Sequence, residues 1–155
     1  FNFGNMLLIL ALCGMASGVI QPMLRHHFGE MERRVSEITD DAMDIVLTPG
    51  TPIERKYEEC LKVVREEEVL LREIKRALEN GGYQYNNALT AKLYRSLRDT
   101  VVRIEGLKDL DTLPIQSRLN VLKNVLIDIN HTKLELRFRM VLPIFYDYIE
   151  AFKKL

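Results

Sequence analysis

The chain has no tryptophan, and its 155 residues hold only two cysteines, five prolines and three histidines. Each scarcity excludes something. Cys13 and Cys60 cannot build a disulfide framework, so a hydrophobic core has to supply the stability. His26, His27 and His131 offer no metal-binding spacing: neighbouring helical residues point about 100 degrees apart, so His26 and His27 cannot share a ligand face. No HExxH or CxxC motif is present, and Cys60 has no histidine nearby in sequence to activate it. The DLD triplet at Asp109 to Asp111 lacks the further oxygen ligands and the glycine of a calcium loop. Asn80-Gly81-Gly82 is not a phosphate-cradling loop, because the glycine motif is incomplete and no strand precedes it. These readings predict a protein without metal, without cofactor and without enzymatic activity.

An excess of either charge is also missing. Lysine plus arginine equals aspartate plus glutamate at 22 each, which leaves no overall field to draw nucleic acid or an anionic membrane. Alternating apolar and polar residues, the mark of a half-buried strand, occur nowhere. With 47% hydrophobic residues the chain has enough apolar material for one real core.

What is present is helical periodicity. Leu24, Phe28, Met31, Val35, Ile38, Ala42 and Ile45 recur at heptad steps, predicting a first helix over Pro22–Val46. Thr48-Pro49-Gly50-Thr51-Pro52 must break it. A second helix over Pro52–Asn80 carries Tyr57, Leu61, Val64, Leu71, Ile74 and Leu78, with Glu67 and Glu68 standing where one core residue would be expected. The acidic runs Asp40-Asp41 and Glu66-Glu67-Glu68 read as solvated faces. Asn80-Gly81-Gly82 supplies left-handed residues to end that helix. A third helix over Asn87–Glu105 turns Leu89, Leu93, Leu97, Val101 and Ile104 inward. The corner that follows is built from Gly106, Asp111 or Thr112 as a cap, and Pro114, tolerated in a first helical turn. A fourth helix over Leu113–Leu142 is ended or kinked by Pro143, and the tail continues helically with Phe145, Tyr148, Ile149 and Phe152 clustered. The fold predicted is all-α: an antiparallel up-and-down bundle of three to four long helices, with short connections. An alternative has the first helix projecting to pair with a second copy.

Met6 opens an apolar run ending in Ala16-Ser17-Gly18, which reads as residues 1–18 of a cleaved signal peptide ahead of a single domain over 19–155. The rival reading is a retained membrane anchor over 1–20, with Arg25, Arg33 and Arg34 on its inner side. Asn130-His131-Thr132 is a glycosylation tripeptide in keeping with secretion, with Asn130 as acceptor. Phe28, Met31, Phe138, Met140, Phe145, Tyr146, Tyr148 and Phe152 exceed what a lean bundle needs. They point either to ordinary core packing or to a cavity or dimer groove for a lipid or another hydrophobic ligand, whose expected lining is Leu97, Val101, Ile104, Leu122, Leu126 and Phe138.

The run LRDTVVRIEGLKDLDTLPIQSRLNVLKNVLIDI carries a resemblance. Asp99-Thr100 followed by Val101-Val102, the Glu105-Gly106 step and Lys108 to Asp111 opening the last long helix resemble the group 5 and group 21 mite allergens. ERKYEECLKVVREEEVLLREIKRALEN can be laid on that family's preceding helix. The resemblance implies a secreted helical bundle, IgE-reactive in exposed mammals, dimerising around a hydrophobic cavity. It transfers no catalytic residue. The expected function is therefore a secreted, non-enzymatic, self-associating bundle with a hydrophobic ligand; the alternative is a membrane-anchored coiled-coil scaffold.

Overall fold

The computed structural model describes residues 22–81, 88–138 and 147–155, with side chains for all of these except 22–24, 89 and 138. The proposed leader or anchor, Gly82, Pro143, Met140, Phe145 and Tyr146 lie outside the described residues. Four long helices follow one another: α1 (Pro22–Val46), α2 (Ile53–Asn80), α3 (Ala88–Glu105) and α4 (Ile115–Phe138), with a short α5 (Ile149–Lys153) last. No strand occurs among the described residues. The chain is an all-α bundle, as its periodicity predicts.

Side-chain pairs give the directions. Glu79 meets Tyr94 and Arg72 meets Glu105, so α2 and α3 run antiparallel. Thr132 meets Thr100 and Asp128 meets Arg103, so α3 and α4 are antiparallel as well. Arg118 stacks on the Tyr57 ring at 5.0 Å while Lys133 reaches Glu67, so α2 and α4 run parallel. Helix α2 packs against α1, α3 and α4, and α4 packs against α2, α3 and α5. The architecture is thus an α2–α3–α4 core with α1 packed on α2 and in reach of α4, while α5 sits on α4.

The turn from α1 to α2 shows why the chain reverses there. Gly50 takes φ +86, a left-handed value open to glycine, and the Thr51 hydroxyl donates to Ile45 O at 2.8 Å and to Thr48 O at 2.9 Å. Those hydroxyl bonds satisfy carbonyls that the end of a helix leaves without partners. Gly81 differs from expectation: it closes α2 at φ −84, in the right-handed region, and its N–H still bonds Ala77 O at 3.0 Å, continuing the α-helical pattern.

Between α3 and α4 lies a second difference. The α-helix ends at Glu105, next to Gly106 as expected, but the chain winds on as a 3-10 helix over Gly106–Thr112 and buries Leu110. Leu113 is then extended (φ −91, ψ 153), the conformation that the ring of Pro114 demands of the residue before it. The Thr112 hydroxyl turns back to Asp109 O, and Pro114 O accepts the Arg118 N–H at 3.0 Å, starting α4.

The core joins Leu70, Leu71 and Ile74 of α2, Leu93, Leu97 and Val101 of α3, and Leu122, Leu126, Ile129 and Leu136 of α4. Each such side chain contributes about 1.5–3 kcal/mol when fully buried. Helix α4 is buried over more than its apolar stripe: Val125, Thr132, Asn130 and Arg137 are buried as well.

Candidate functional site

The most unusual chemistry in the molecule sits where α1, α2 and α4 approach one another. Glu32 of α1, Glu67 of α2, and Lys133 and Arg137 of α4 are all buried, with side-chain exposures of 0%, 4%, 1% and 4%. Lys133 Nζ lies 2.6 Å from Glu67 Oε1 and 2.9 Å from Glu32 Oε2. Arg137 Nη2 lies 3.0 Å from Glu32 Oε1. Lys133 therefore bridges two carboxylates, and Glu32 receives one cation on each oxygen. Residues 133 and 137 can act together because positions four apart share one face of a helix.

The charges balance, two negative against two positive, so the centre is neutral when all four groups are ionised. Hydrogen bonding is less complete. Glu67 Oε2 and Ser36 Oγ have no hydrogen-bond partner among the described residues, and Glu32 Oε2 faces the ammonium without meeting hydrogen-bond geometry. Burial raises the pKa of the Glu67 carboxyl above the usual glutamate value, and the neighbouring Glu32 charge raises it too; Lys133 and Arg137 oppose the shift.

A further row of polar contacts runs from this centre to α5. The Tyr148 hydroxyl donates to Asp40 Oδ1 at 2.7 Å and to Ser36 O at 3.2 Å, and burial, reinforced by Asp40, raises its pKa. Asn130 Nδ2 donates to Asp147 Oδ1, which also accepts the Ile149 N–H at 3.0 Å as α5 begins. Glu32, Ser36 and Asp40 link α1 to α4 and Tyr148 through these polar contacts, whereas Phe28, Val35, Ala42, Met43 and Val46 of α1 belong to the common apolar core.

Such a centre is not needed for stability, since well-packed apolar residues would serve a bundle as well or better. What it imposes is pairing: a buried charge left without its partner is costly, which ties the register of α1 to that of α4. No substrate group can approach these atoms without the bundle opening, because they are covered on every side.

The residues expected to line a ligand site are brought together, but as closed core. Leu97, Val101, Ile104, Leu122 and Leu126 are all 5% exposed or less and lie across the antiparallel α3–α4 interface. Phe138 ends α4, and its side chain lies outside the described residues. Asn130 is 2% exposed with its Nδ2 engaged by Asp147, so a glycan on that nitrogen and the packing seen here are mutually exclusive. Cys60 is fully buried and its thiol is pushed up to about 12 by burial first and by Glu59 second. Among the described residues no group of three or more histidine, cysteine, aspartate or glutamate side chains is placed to hold a metal ion, and no helix is long and apolar enough to cross a membrane.

Sequence reasoning missed the ionic centre. It placed Glu67 with the solvated acids, whereas the residue faces the core. A signal existed: the apolar stripe of α2 skips a position at Glu67, that of α4 skips one at Lys133, and the two gaps hold opposite charges. Comparison with known proteins finds no matching family model, no matching curated protein and no matching solved structure.

Proposed function

We propose that this chain is a secreted, non-enzymatic helical bundle that acts by binding, with an apolar molecule as its ligand and the α3–α4 layer of Leu97, Val101, Ile104, Leu122 and Leu126 as the wall that receives it. The observation carrying this reading is the separation of chemistries across α4. Its α3 side is mainly apolar, interrupted by the buried Thr100–Thr132 hydrogen bond, and its α1 side carries the ion pairs of Glu32 with Lys133 and Arg137. The apolar layer is what an opening between α3 and α4 would offer a ligand, while the ionic seam keeps α1 in place on the other side. The non-enzymatic part of the reading is supported by the state of two reactive groups: Cys60 is buried with its thiol pKa raised, and Lys133 is held between two carboxylates. Secretion rests on the apolar run ending at Ala16-Ser17-Gly18, and the allergen-like character on the stretch around Arg103 to Asp111. Self-association belongs to the same proposal, and sedimentation velocity reads it.

The membrane-anchored coiled coil is less well supported. Phe28, Val35 and Ala42, which would face a partner helix, are covered by this chain's own core.

Displacement of a fluorescent fatty-acid probe, with native mass spectrometry of protein from its natural source, tests the ligand. A saturable signal that weakens in Leu126→Asn, along with a lipid-sized adduct, is expected. No saturable binding, with an adduct-free mass, would sink the ligand reading. Sequencing of the mature N-terminus tests secretion, with Val19 expected first and an intact Met6 in the membrane fraction contradicting it.

A further inference from the structure

The zero net charge of the chain is not spread evenly over its surface. From Glu37 to Leu47 the second half of α1 and its exit hold Glu37, Asp40, Asp41 and Asp44, and no lysine or arginine. All these acids are exposed, and their spacing returns them to one face of the helix. Asp40 accepts the neutral Tyr148 hydroxyl, and none of the group has an ion pair among the described residues. The first half of α3 is the opposite: Lys92 to Arg98 holds Lys92, Arg95 and Arg98, all exposed, and no acid. Arg98 meets the next residue, Asp99, at 3.4 Å, while Lys92 and Arg95 have no ion pair among the described residues. Along α2, by contrast, charges pair within the helix, Arg55 with Glu59, Arg72 with Glu68 and Arg76 with Glu73.

Neither patch serves the helix that carries it. Asp44 stands in the last turn of α1, at the negative end of the helix dipole, and Lys92 lies just past the first turn of α3, near the positive end. Each patch also carries an exposed apolar residue: Leu47, 45% exposed, closes the acidic stretch, and Val102, 58% exposed, follows the basic one by a turn. Each runs over about ten residues, or about 15 Å of helix. Helices α1 and α3 both pack on α2, so the two patches lie on either side of one helix.

We propose that these patches are the surface through which the chain self-associates: the acids of α1 in one copy meet Lys92, Arg95 and Arg98 of another, with Leu47 and Val102 supplying the apolar part of the contact. The proposal rests on the self-association stated above and names the surface responsible. A second copy is the occupant because the chain itself supplies both halves of the match, equal in length and opposite in sign, and around a two-fold axis the contact is made twice. Single exposed ion pairs contribute little, whereas two clusters, each of one sign, attract before contact and fix the orientation of the encounter. Salt separates this arrangement from an apolar one. The screening length falls from about 30 Å at 0.01 M to about 3 Å at 1 M ionic strength, so a charge-driven dimer weakens as salt is added. An interface closed around apolar side chains has no such dependence.

Sedimentation velocity of the full chain tests the surface. The dimer dissociation constant of the unmodified protein is expected to rise at least about tenfold between about 0.02 M and 0.5 M sodium chloride. A chain carrying Lys92→Glu and Arg95→Glu, acidic on both patches, should sediment as a monomer. So should one carrying Asp41→Lys and Asp44→Lys, basic on both. These changes sit on exposed positions and suit the helix dipoles, so both variants should fold. Mixed in equal amounts the two variants should dimerise again, because each offers the other the opposite sign at both contacts. A dimer that ignores salt, or that persists in either variant alone, would overturn this inference and leave self-association to another surface. Folded variants that stay apart when mixed would overturn it as well. An unmodified chain that is monomeric even at low salt would overturn both the inference and the self-association beneath it. If either variant does not fold, the salt dependence of the unmodified protein decides the matter alone.

Discussion

Lys133 is the side chain on which most of the buried polar structure depends, since its ammonium lies within 3 Å of carboxylates from two different helices. Lys133→Met leaves Glu32 and Glu67 buried with one fewer cation, and removal of one partner from a buried pair costs about 3–5 kcal/mol. Urea denaturation should show a loss of that size, and a change under about 1 kcal/mol would mean that the lysine is not buried as described. Apolar positions divide just as sharply. Leu97→Ala, at a fully buried site, should cost about 2–5 kcal/mol, whereas Val102→Ala, at 58% exposure, should stay within about 0.5 kcal/mol. Cys60, with its thiol near pH 12 and no exposed surface, should react with a thiol reagent only as fast as the protein unfolds.

The helix ends explain which parts of the structure were legible at the level of elements. Prolines and periodicity placed α1 over Pro22–Val46, and they placed the starts and ends of α2 and α3 to within one residue. Corners were less legible, because a glycine can stop a helix or merely change its winding. Gly81 kept right-handed geometry, and Gly106 passed the chain into a 3-10 helix. The candidate site was least legible. Charge next to charge on a helix is ordinarily solvent-facing, and only the partner's position 66 residues away shows that Glu67 points inward. The two turn glycines yield opposite expectations. Gly50→Ala forces a side chain into φ +86 and should destabilise by about 1 kcal/mol, while Gly106→Ala meets open space within a helix and should be neutral or stabilise by about 0.4–1 kcal/mol. Thermal melts of both variants check the pair together.

At the scale of the whole molecule the balanced charge of the chain conceals two opposed pH effects. Glu79 is held below the ordinary glutamate range by its hydrogen bond to Lys75 first and to Tyr94 next, so its stabilisation is present above the unfolded value and is lost as pH falls through the folded one. Glu67 acts the other way. Glu79→Gln should therefore lower stability at neutral pH and make progressively less difference in acid, as read by denaturation across pH. The larger claim is that α1 is registered on the bundle by charges buried far apart in sequence, Glu32 against Lys133 and Arg137. A double-mutant cycle in urea with Glu32→Gln and Lys133→Gln measures this most directly. The account predicts strong non-additivity, with a coupling energy of about 1–3 kcal/mol; two effects that add to within about 0.5 kcal/mol would contradict it.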